Sequence, residues 1–466
     1  MKADETEIRT EHTDAAGLLV YRNLLQDPVV VQCVSVIEAP WPLPLPQGEL
    51  PEESKAALKK IGEVLEGVIH FLMEKAVSYG WTGNLWQAYL TDKLLNDENA
   101  FTQACERRAP SGVSLRGAAA RDLDRIGLWF ACDWEALSAW LHAPALKYLA
   151  HFDEEDATSQ VYNRRVQNRI AALKDALAEA SVSPDAGRGL RMRTLLEQFY
   201  EANGCGAIGL HKAFRVREDR EGNVIIDPIR AVPHVKLEDL IGYEDAKGRL
   251  LANTEAFLAG RPANNCLLYG DAGTGKSSCI KAITDRYYDA GLRVIEVYKH
   301  QAKLLHGIIN QIKNRNYRFI IYMDDISFED FETEYKYLKA VIEGGLEKKP
   351  ENLLIYATSN RRHLIKERFS DRGDLLDDDI HKNDTVQEKL SLAYRFGVTI
   401  YFGAPGKREF EEIVKGLAAR AGITMPEEEL LRLASRWEMA HGGKSGRSAT
   451  QFIDDLTGSE GNDARV

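Results

Sequence analysis

Residues 267–278 read LLYGDAGTGKSS, and this stretch decides the fold. Three apolar residues lead into a glycine-rich bend that ends in a lysine and two serines. The run Gly270–Ser277 fits the pattern GxxxxGK[ST], directly after a predicted strand and directly before a predicted helix. Glycines let consecutive backbone N–H groups turn onto a phosphate, and the helix N-terminus adds its positive end. The stretch therefore predicts a phosphate-binding loop.

Each residue of this loop has an expected part in nucleotide binding. Lys276 is expected to reach the β and γ phosphates, and the Ser277 hydroxyl is expected to ligate Mg²⁺. Thr274 and Ser278 are expected to support the loop and the start of the helix. The loop residues predicted to bind ATP are Gly270, Asp271, Ala272, Gly273, Thr274, Gly275, Lys276, Ser277 and Ser278.

A second motif, FIIYMDD at residues 319–325, has the pattern of a buried strand that ends in two carboxylates. An acid at the C-terminal end of a parallel strand emerges beside the phosphate loop, so Asp324 is predicted to hold Mg²⁺ together with Ser277. Asp325 is predicted to orient or deprotonate the attacking water. The two motifs together favour a nucleotide site over a chance glycine-rich turn.

The second half of the chain alternates short apolar strands with helices. The strands are NCLLYG, RVIEVY, RFIIYMDD, NLLIYATSN and GVTIYF, which predicts a parallel sheet covered on both faces and an α/β fold. Residues 51–203 carry apolar residues at helical spacing. The predicted domains are an N-terminal segment with a proline-rich linker (1–50), a mainly helical domain (51–203), a β-hairpin-like connector (204–235), a nucleotide-binding domain (236–404) and a helical domain with a tail (405–466).

Composition narrows the classes of function. The 466 residues carry a net charge of −11, which argues against a large non-specific nucleic-acid surface. The six cysteines form no CxxC pair, so zinc and iron–sulfur sites fail on spacing. The N-terminus has no apolar core of a secretion signal, and no apolar run is long enough to span a bilayer. A cytoplasmic protein that does not engage membranes is expected.

From about residue 229 to 458 the chain resembles an AAA+ ATPase module. More narrowly, NTEAFLAGRPANNCLLYGDAGTGKSS resembles a bacterial AAA+ family known as domain of unknown function 815. The resemblance implies a P-loop αβα sandwich with a five-stranded parallel sheet and a C-terminal helical lid, preceded by a mainly helical domain. It also implies Mg-ATP as ligand and a homo-oligomer, either a ring or an ATP-induced assembly.

The superfamily's polar sensor matches Asn360, at the end of IYATSN, where a simple helix N-cap is the alternative. Its arginine finger matches Arg395, with Arg368 and Arg372 as competitors and a surface salt bridge as the alternative for all three. Its lid arginine matches Arg447. The catalytic residues implied are Asp325, Asn360, Arg395 and Arg447.

The adenine pocket of the superfamily corresponds to the segment before the first strand, where Ile241 and Gly242 are the implied contacts. An apolar pair beside a glycine is also ordinary packing. One departure stands out, because AAA+ proteins usually carry Asp-Glu where this chain has Asp324-Asp325. A shorter carboxylate reaches less far, so slow turnover is conceivable, with Glu329 as a substitute.

Two functions follow from these features. The leading one is an AAA+ ATPase that binds and hydrolyses Mg-ATP and couples nucleotide state to remodelling or assembly of a partner protein complex. The N-terminal helical domain is expected to recognise that partner. The alternative is an ATP-switched adaptor or nucleic-acid loader with little intrinsic turnover, and the net charge makes nucleic acid the less favoured partner.

The acidic run at 370–384 is interpreted as a solvated loop, with a subunit-contacting loop as an alternative.

Overall fold

The computed structural model describes residues 17–39, 52–108, 112–153, 158–182, 187–230, 232–328, 334–343, 349–360 and 392–463. The chain divides into two compact units, Met1–His211 and Lys212–Val466. The hypotheses on Glu329, Arg368, Arg372 and the acidic run fall outside the described residues. Within the described residues, no helix is both long and apolar enough to cross a membrane.

The first unit is helical in its described part, as the spacing of apolar residues predicts. Its tryptophans form much of the core: Trp86, Trp129 and Trp134 are fully buried, and Trp86 meets Trp134 edge to face at 5.9 Å. The helices are α1 (Pro28–Ile37), α2 (Glu52–Tyr79), α3 (Leu85–Asn96), α4 (Ala100–Glu106), α5 (Val113–Phe130), α6 (Trp134–Trp140), α7 (Lys147–Ala150), α8 (Arg164–Ser181), α9 (Arg188–Asn203) and α10 (Gly206–Leu210), with 3₁₀ turns at Arg22–Gln26 and Pro144–Leu146.

The second unit is built on one mixed sheet in the order β2-β1-β4-β5-β6-β3-β7. Neighbouring strands are parallel except for the antiparallel pair β1 and β2. The strands are β1 (Ala213–Glu218), β2 (Val224–Pro228), β3 (Cys266–Gly270), β4 (Leu292–Glu296), β5 (Arg318–Met323), β6 (Leu353–Ser359) and β7 (Val398–Phe402).

The prediction of five strands is wrong in number, because the described residues contain a sheet of seven strands. The five predicted strands are present as β3 to β7, and the hairpin expected as a connector supplies the other two. Its first strand pairs in parallel with β4, so that Phe214 lies opposite Ile295. The turn residues at 219–223 indicate a hairpin locally, but pairing across some 80 residues leaves no local signal in the sequence.

Helices cover the sheet on both faces, since β5 and β6 are buried along almost their whole length. Three C-terminal helices pack around their own core, which includes Phe410, Val414, Ala449 and Phe452. The helices are α11 (Glu244–Leu258), α12 (Lys276–Arg286), α13 (Leu305–Ile312), α14 (Glu334–Glu343), α15 (Lys407–Ala421), α16 (Glu427–Ala440) and α17 (Gly446–Asp463), with 3₁₀ turns at Leu237–Asp239 and Lys299–Leu304.

The strand order brings the two sequence motifs together. Strand β6 lies between β3 and β5, and all three are parallel. Their carboxyl ends therefore meet at one edge of the sheet, where α/β proteins bind ligands. Tyr269 lies opposite Ser359, and Met323 lies opposite Ala357. The residues that follow each strand converge on one site.

Candidate functional site

The loop between β3 and α12 requires glycine where other backbone comes close. Gly270 has φ +138°, and a Cβ added there would lie 2.0 Å from the carbonyl oxygen of Phe402. Gly273 has φ +75°, and its added Cβ would lie 3.0 Å from the Cβ of Arg447. An L side chain rarely adopts either conformation. Strand β7 and the start of α17 thus press directly against the loop.

Lys276 opens helix α12 and is 6% exposed. Its ammonium donates hydrogen bonds to the carbonyl oxygens of Gly270 (2.9 Å) and Asp271 (2.6 Å) and to Oδ1 of Asn360 (3.1 Å). Burial lowers the pKa of Lys276, and the negative charge of Asp325 opposes part of that shift. A lysine held beside the backbone of a glycine-rich loop is placed to meet an anion that the same loop binds.

Asp324 follows β5 and accepts three hydroxyl hydrogen bonds at one oxygen. Ser277 (2.7 Å), Tyr322 (2.6 Å) and Thr358 (2.5 Å) all donate to its Oδ1. Burial alone would raise the pKa of Asp324, but these hydroxyls and the nearby charge of Lys281 hold it below its usual range. The side chain is therefore a carboxylate at neutral pH, with a defined orientation.

Asp325 and Asn360 form a second polar chain beside the first. The Asn360 amide donates to Oδ1 of Asp325 at 2.8 Å, while its own Oδ1 accepts from Lys276. The backbone of Asp325 has φ +45°, a left-handed conformation that aspartate tolerates better than most residues. Non-glycine residues in this region cluster at functional sites, where surrounding contacts hold them.

These side chains border a cavity of about 560 Å³, a volume typical of small-molecule sites. Residues 272–279 line its polar end together with Asp324, Asp325 and Asn360. The other walls include the apolar Ile241, Ile413 and Leu417. The cavity thus suits a ligand with an anionic part and a flat apolar part.

Arg447 lines the cavity from the C-terminal helices, and its backbone N–H approaches the carbonyl oxygen of Gly273 at 3.3 Å. Arg447 therefore borders the same cavity as Lys276 and Asp324. Ile241, which the AAA+ resemblance implies as an adenine contact, also lines the cavity.

Other predicted residues lie at or beyond the rim. Gly270 and Asp271 frame the loop rather than line the cavity, and Oδ2 of Asp271 accepts from the backbone N–H of Ala404 at 2.7 Å. Gly242 has φ +82° and provides the turn between Ile241 and Tyr243 without lining the described cavity wall. Arg395 also lies off that wall, where it forms an ion pair with Glu343.

Sequence reasoning missed three residues that shape the site. Tyr322 and Thr358 hold Asp324, and the buried Lys247 donates from Nζ to the carbonyl oxygen of Leu240 at 2.6 Å. Strand alternation offered a signal for the first two: Tyr322 precedes Asp324 by two residues, and Thr358 precedes Asn360 by two, so each pair shares a face. The sequence shows only the i,i+3 pair of Lys247 with Glu244, because its other acceptor, the carbonyl oxygen of Leu240, is backbone.

The side-chain oxygen atoms of Ser277 and Asp324 are suited to bind a magnesium ion. A hydroxyl and a carboxylate are hard oxygen ligands, and Mg²⁺ is commonly bound by one or two protein ligands, with water and phosphate oxygens completing the shell. The Ser277 hydroxyl donates to Asp324, which leaves its lone pairs free for a cation. In the described part of the chain, no group of three or more His, Cys, Asp or Glu side chains forms a metal cluster.

Comparison with protein families gives one decisive match. The family described as "Protein of unknown function (DUF815)" matches residues 209–460, just over half of the chain. The chain belongs to the DUF815 family. The match covers the whole seven-stranded sheet, the loop at 270–277 and nearly all of the three C-terminal helices. Among curated proteins, none matches the chain.

Solved structures resemble this DUF815 protein distantly. The RuvB Holliday junction branch migration motor of Thermotoga maritima is 17% identical. The match covers 48% of this chain and 64% of the RuvB chain, with a TM-score of 0.33. A point mutant of the same motor is 15% identical, with coverages of 47% and 63% and a TM-score of 0.34. Less than two thirds of RuvB is matched, and scores this low transfer no activity to the DUF815 protein.

Proposed function

We propose that this DUF815 protein binds and hydrolyses Mg-ATP as an AAA+ ATPase. The observation that carries the proposal is the convergence of two polar chains on one cavity: Ser277 with Asp324, and Lys276 with Asn360 and Asp325. A phosphate loop alone would fit many nucleotide-binding proteins. A carboxylate for the metal and a second carboxylate tied to a polar sensor are what hydrolysis additionally needs.

The residues divide the chemical work as follows. The backbone N–H groups of the loop and the Lys276 ammonium would bind the β and γ phosphates. Ser277 and Asp324 would hold Mg²⁺, whose charge would stabilise the phosphate oxygens. Asp325, oriented by Asn360, accepts the proton of the water that attacks the γ-phosphorus. ADP leaves as the bond between the β–γ bridging oxygen and the γ-phosphorus breaks, and phosphate is the second product.

Hydrolysis would be coupled to movement of the C-terminal helices, which act as a lid. Arg447 from α17 and Ile413 from α15 line the same cavity as the loop, so the bound nucleotide would contact both parts. Arg395 would act on the nucleotide of a neighbouring subunit in a homo-oligomer. The work done is remodelling or assembly of a partner protein complex in the cytoplasm, with the N-terminal helical unit recognising the partner.

A second function is favoured by Asp325 itself. Its side chain is one methylene shorter than glutamate, and its backbone is in the left-handed region. If these features withhold the carboxylate from the water, the protein is an ATP-switched adaptor or loader that binds ATP and turns it over negligibly.

The test uses the full-length protein and measures ATP affinity and phosphate release. Lys276→Ala is expected to lower ATP affinity at least about 100-fold and to abolish phosphate release, because the buried ammonium is lost. Lys303→Ala is the matched control, since Lys303 is an exposed lysine paired with Glu218 at 2.8 Å outside the cavity. Equal ATP affinity in the wild type and Lys276→Ala would refute the nucleotide site.

Asp325→Glu separates the two functions. ATP binding without phosphate release in the wild type, with release gained in Asp325→Glu, supports the switch. Measurable release in the wild type that Asp325→Asn abolishes supports the ATPase. Adding duplex or single-stranded DNA to the same assay tests the loader, which predicts stimulation by DNA.

A further inference from the structure

We propose that Thr358 and Tyr322 are positioning residues that aim the two aspartates of the site, Asp324 toward the metal ion and Asp325 toward the attacking water. The inference rests on the proposed function and adds to it the residues that set its metal-dependent geometry. Neither Thr358 nor Tyr322 belongs to the phosphate loop or to the pair of aspartates. Thr358 borders the cavity, but its hydroxyl is engaged with Asp324 and Asp325.

The first step is the saturation of one carboxylate oxygen. Oδ1 of Asp324 accepts from Ser277, Tyr322 and Thr358 at 2.5 to 2.7 Å. A carboxylate offers about four lone-pair sites over its two oxygens, so three donors exhaust Oδ1. Oδ2 has no hydrogen-bond donor among the described residues and is the oxygen left for a cation. Two of the three donors are fixed on the sheet, which keeps the carboxylate from rotating.

The second step is the rigidity of those two donors. Tyr322 is 5% exposed and Thr358 is 1% exposed, and both lie on parallel strands that pair with each other. In the register of β5 and β6, Met323 lies opposite Ala357, so Asp324 comes opposite Thr358 one residue later. The short contact between them is therefore built by strand pairing rather than by a flexible loop.

The third step links Thr358 to Asp325. The Thr358 hydroxyl donates to Asp324 and accepts from the backbone N–H of Asp325 at 2.8 Å, while its carbonyl oxygen accepts from the N–H of Ile326 at 2.8 Å. These bonds hold the Asp325 backbone at φ +45°, which costs about 1 kcal/mol in a free chain. The backbone turn brings the carboxylate to Asn360. The direction of the backbone at Asp325 thus orients its short side chain.

The test compares Thr358→Val with Thr358→Ser in the full-length protein. Valine keeps the shape of threonine and removes the hydroxyl, whereas serine keeps the hydroxyl. The readout is the affinity for a fluorescent non-hydrolysable ATP analogue as a function of Mg²⁺ concentration, and again in EDTA. Thr358→Val is expected to raise the half-saturating Mg²⁺ concentration about tenfold with the affinity in EDTA unchanged, and Thr358→Ser is expected to stay within about twofold.

Tyr322→Phe carries the test if Thr358→Val does not fold, and about a threefold increase in the half-saturating Mg²⁺ concentration is expected because one donor is lost. An unchanged Mg²⁺ dependence in both Thr358→Val and Tyr322→Phe would overturn the positioning role, and so would equal shifts in the valine and serine variants. A wild-type protein that fails to bind the analogue at any Mg²⁺ concentration overturns the proposed function itself, which is a distinguishable result.

Discussion

Asp27 in the helical unit and Asp324 in the sheet unit are chemically alike but differ in consequence. Asp27 accepts from the backbone N–H groups of Val29 and Val30 and from Tyr89, and it pairs with Lys93 at 2.6 Å. In both aspartates burial raises the pKa, but hydrogen bonds lower it by a larger amount, so each pKa lies below its usual range.

The difference lies in where the two carboxylates sit. Asp27 caps the first turn of α1, so its hydrogen bonds stabilise the fold. Asp324 stands at the end of a parallel strand on the wall of a cavity. A buried, hydrogen-bonded acid is therefore a weak sign of function by itself. Its place at the carboxyl edge of the sheet makes it informative.

This contrast predicts that changes in the sheet unit alter nucleotide chemistry, whereas changes in the helical unit alter stability. After Lys276→Ala and Asp325→Asn, the largest effect is expected from Arg395→Ala. With Arg395 as the finger of the proposed ATPase, its loss should lower phosphate release about 1000-fold with ATP affinity retained. Mixing Arg395→Ala with Lys276→Ala subunits should restore part of the release, since each supplies what the other lacks.

The control for Arg395 is Glu343→Gln, which removes its ion-pair partner and leaves the arginine. Phosphate release is expected to remain within about threefold of the wild type. If Arg395→Ala releases phosphate at the wild-type rate, Arg395 is not the arginine finger.

In the helical unit, Trp86→Ala is expected to lower the free energy of unfolding by about 3–5 kcal/mol. Trp86 is fully buried, and its Nε1 donates to the carbonyl oxygen of Trp129 at 2.8 Å. Denaturant unfolding measures the loss, and ATP affinity of the folded protein should stay within about twofold. A large fall in ATP affinity without a loss of stability would contradict the expectation that changes in the helical unit alter stability alone.

Asn360→Ala returns to the site and should lower phosphate release about 100-fold, because the link between Lys276 and Asp325 is removed. Steady-state kinetics should show the loss mainly in kcat rather than KM. A fall in thermal stability with unchanged kcat would instead support the helix N-cap role.

The smallest effect is expected from Asp27→Asn, about 1 kcal/mol of stability at pH 7. The folded pKa of Asp27 is lowered, so its contribution is fully present above the unfolded pKa of about 4 and is lost as the pH falls through the folded value. Unfolding curves of the wild type and the variant should therefore converge at acid pH. A constant difference down to about pH 2, below the unfolded pKa, would show that charge is not the cause.

Much of this site was predictable because its signals are local. The glycine spacing of residues 270–275, the apolar run before Asp324 and the five strands β3 to β7 are all read from contiguous residues, and the structure contains them. The hairpin was also predictable as a hairpin. Its membership in the sheet was not, because the pairing of β1 with β4 depends on residues far away in the chain.

The amino-acid sequence determined which chemical groups this DUF815 protein has and which strands and loops carry them. The two-residue period of strands, the 3.6-residue period of helices and the positions of glycine set these features within short stretches of sequence. Tertiary structure decided which groups meet: Thr358 on Asp324 and Asp325, Lys247 on the carbonyl of Leu240, and Arg447 beside Gly273. Such contacts join separate elements, and strand order and register set them, which no single stretch of sequence encodes.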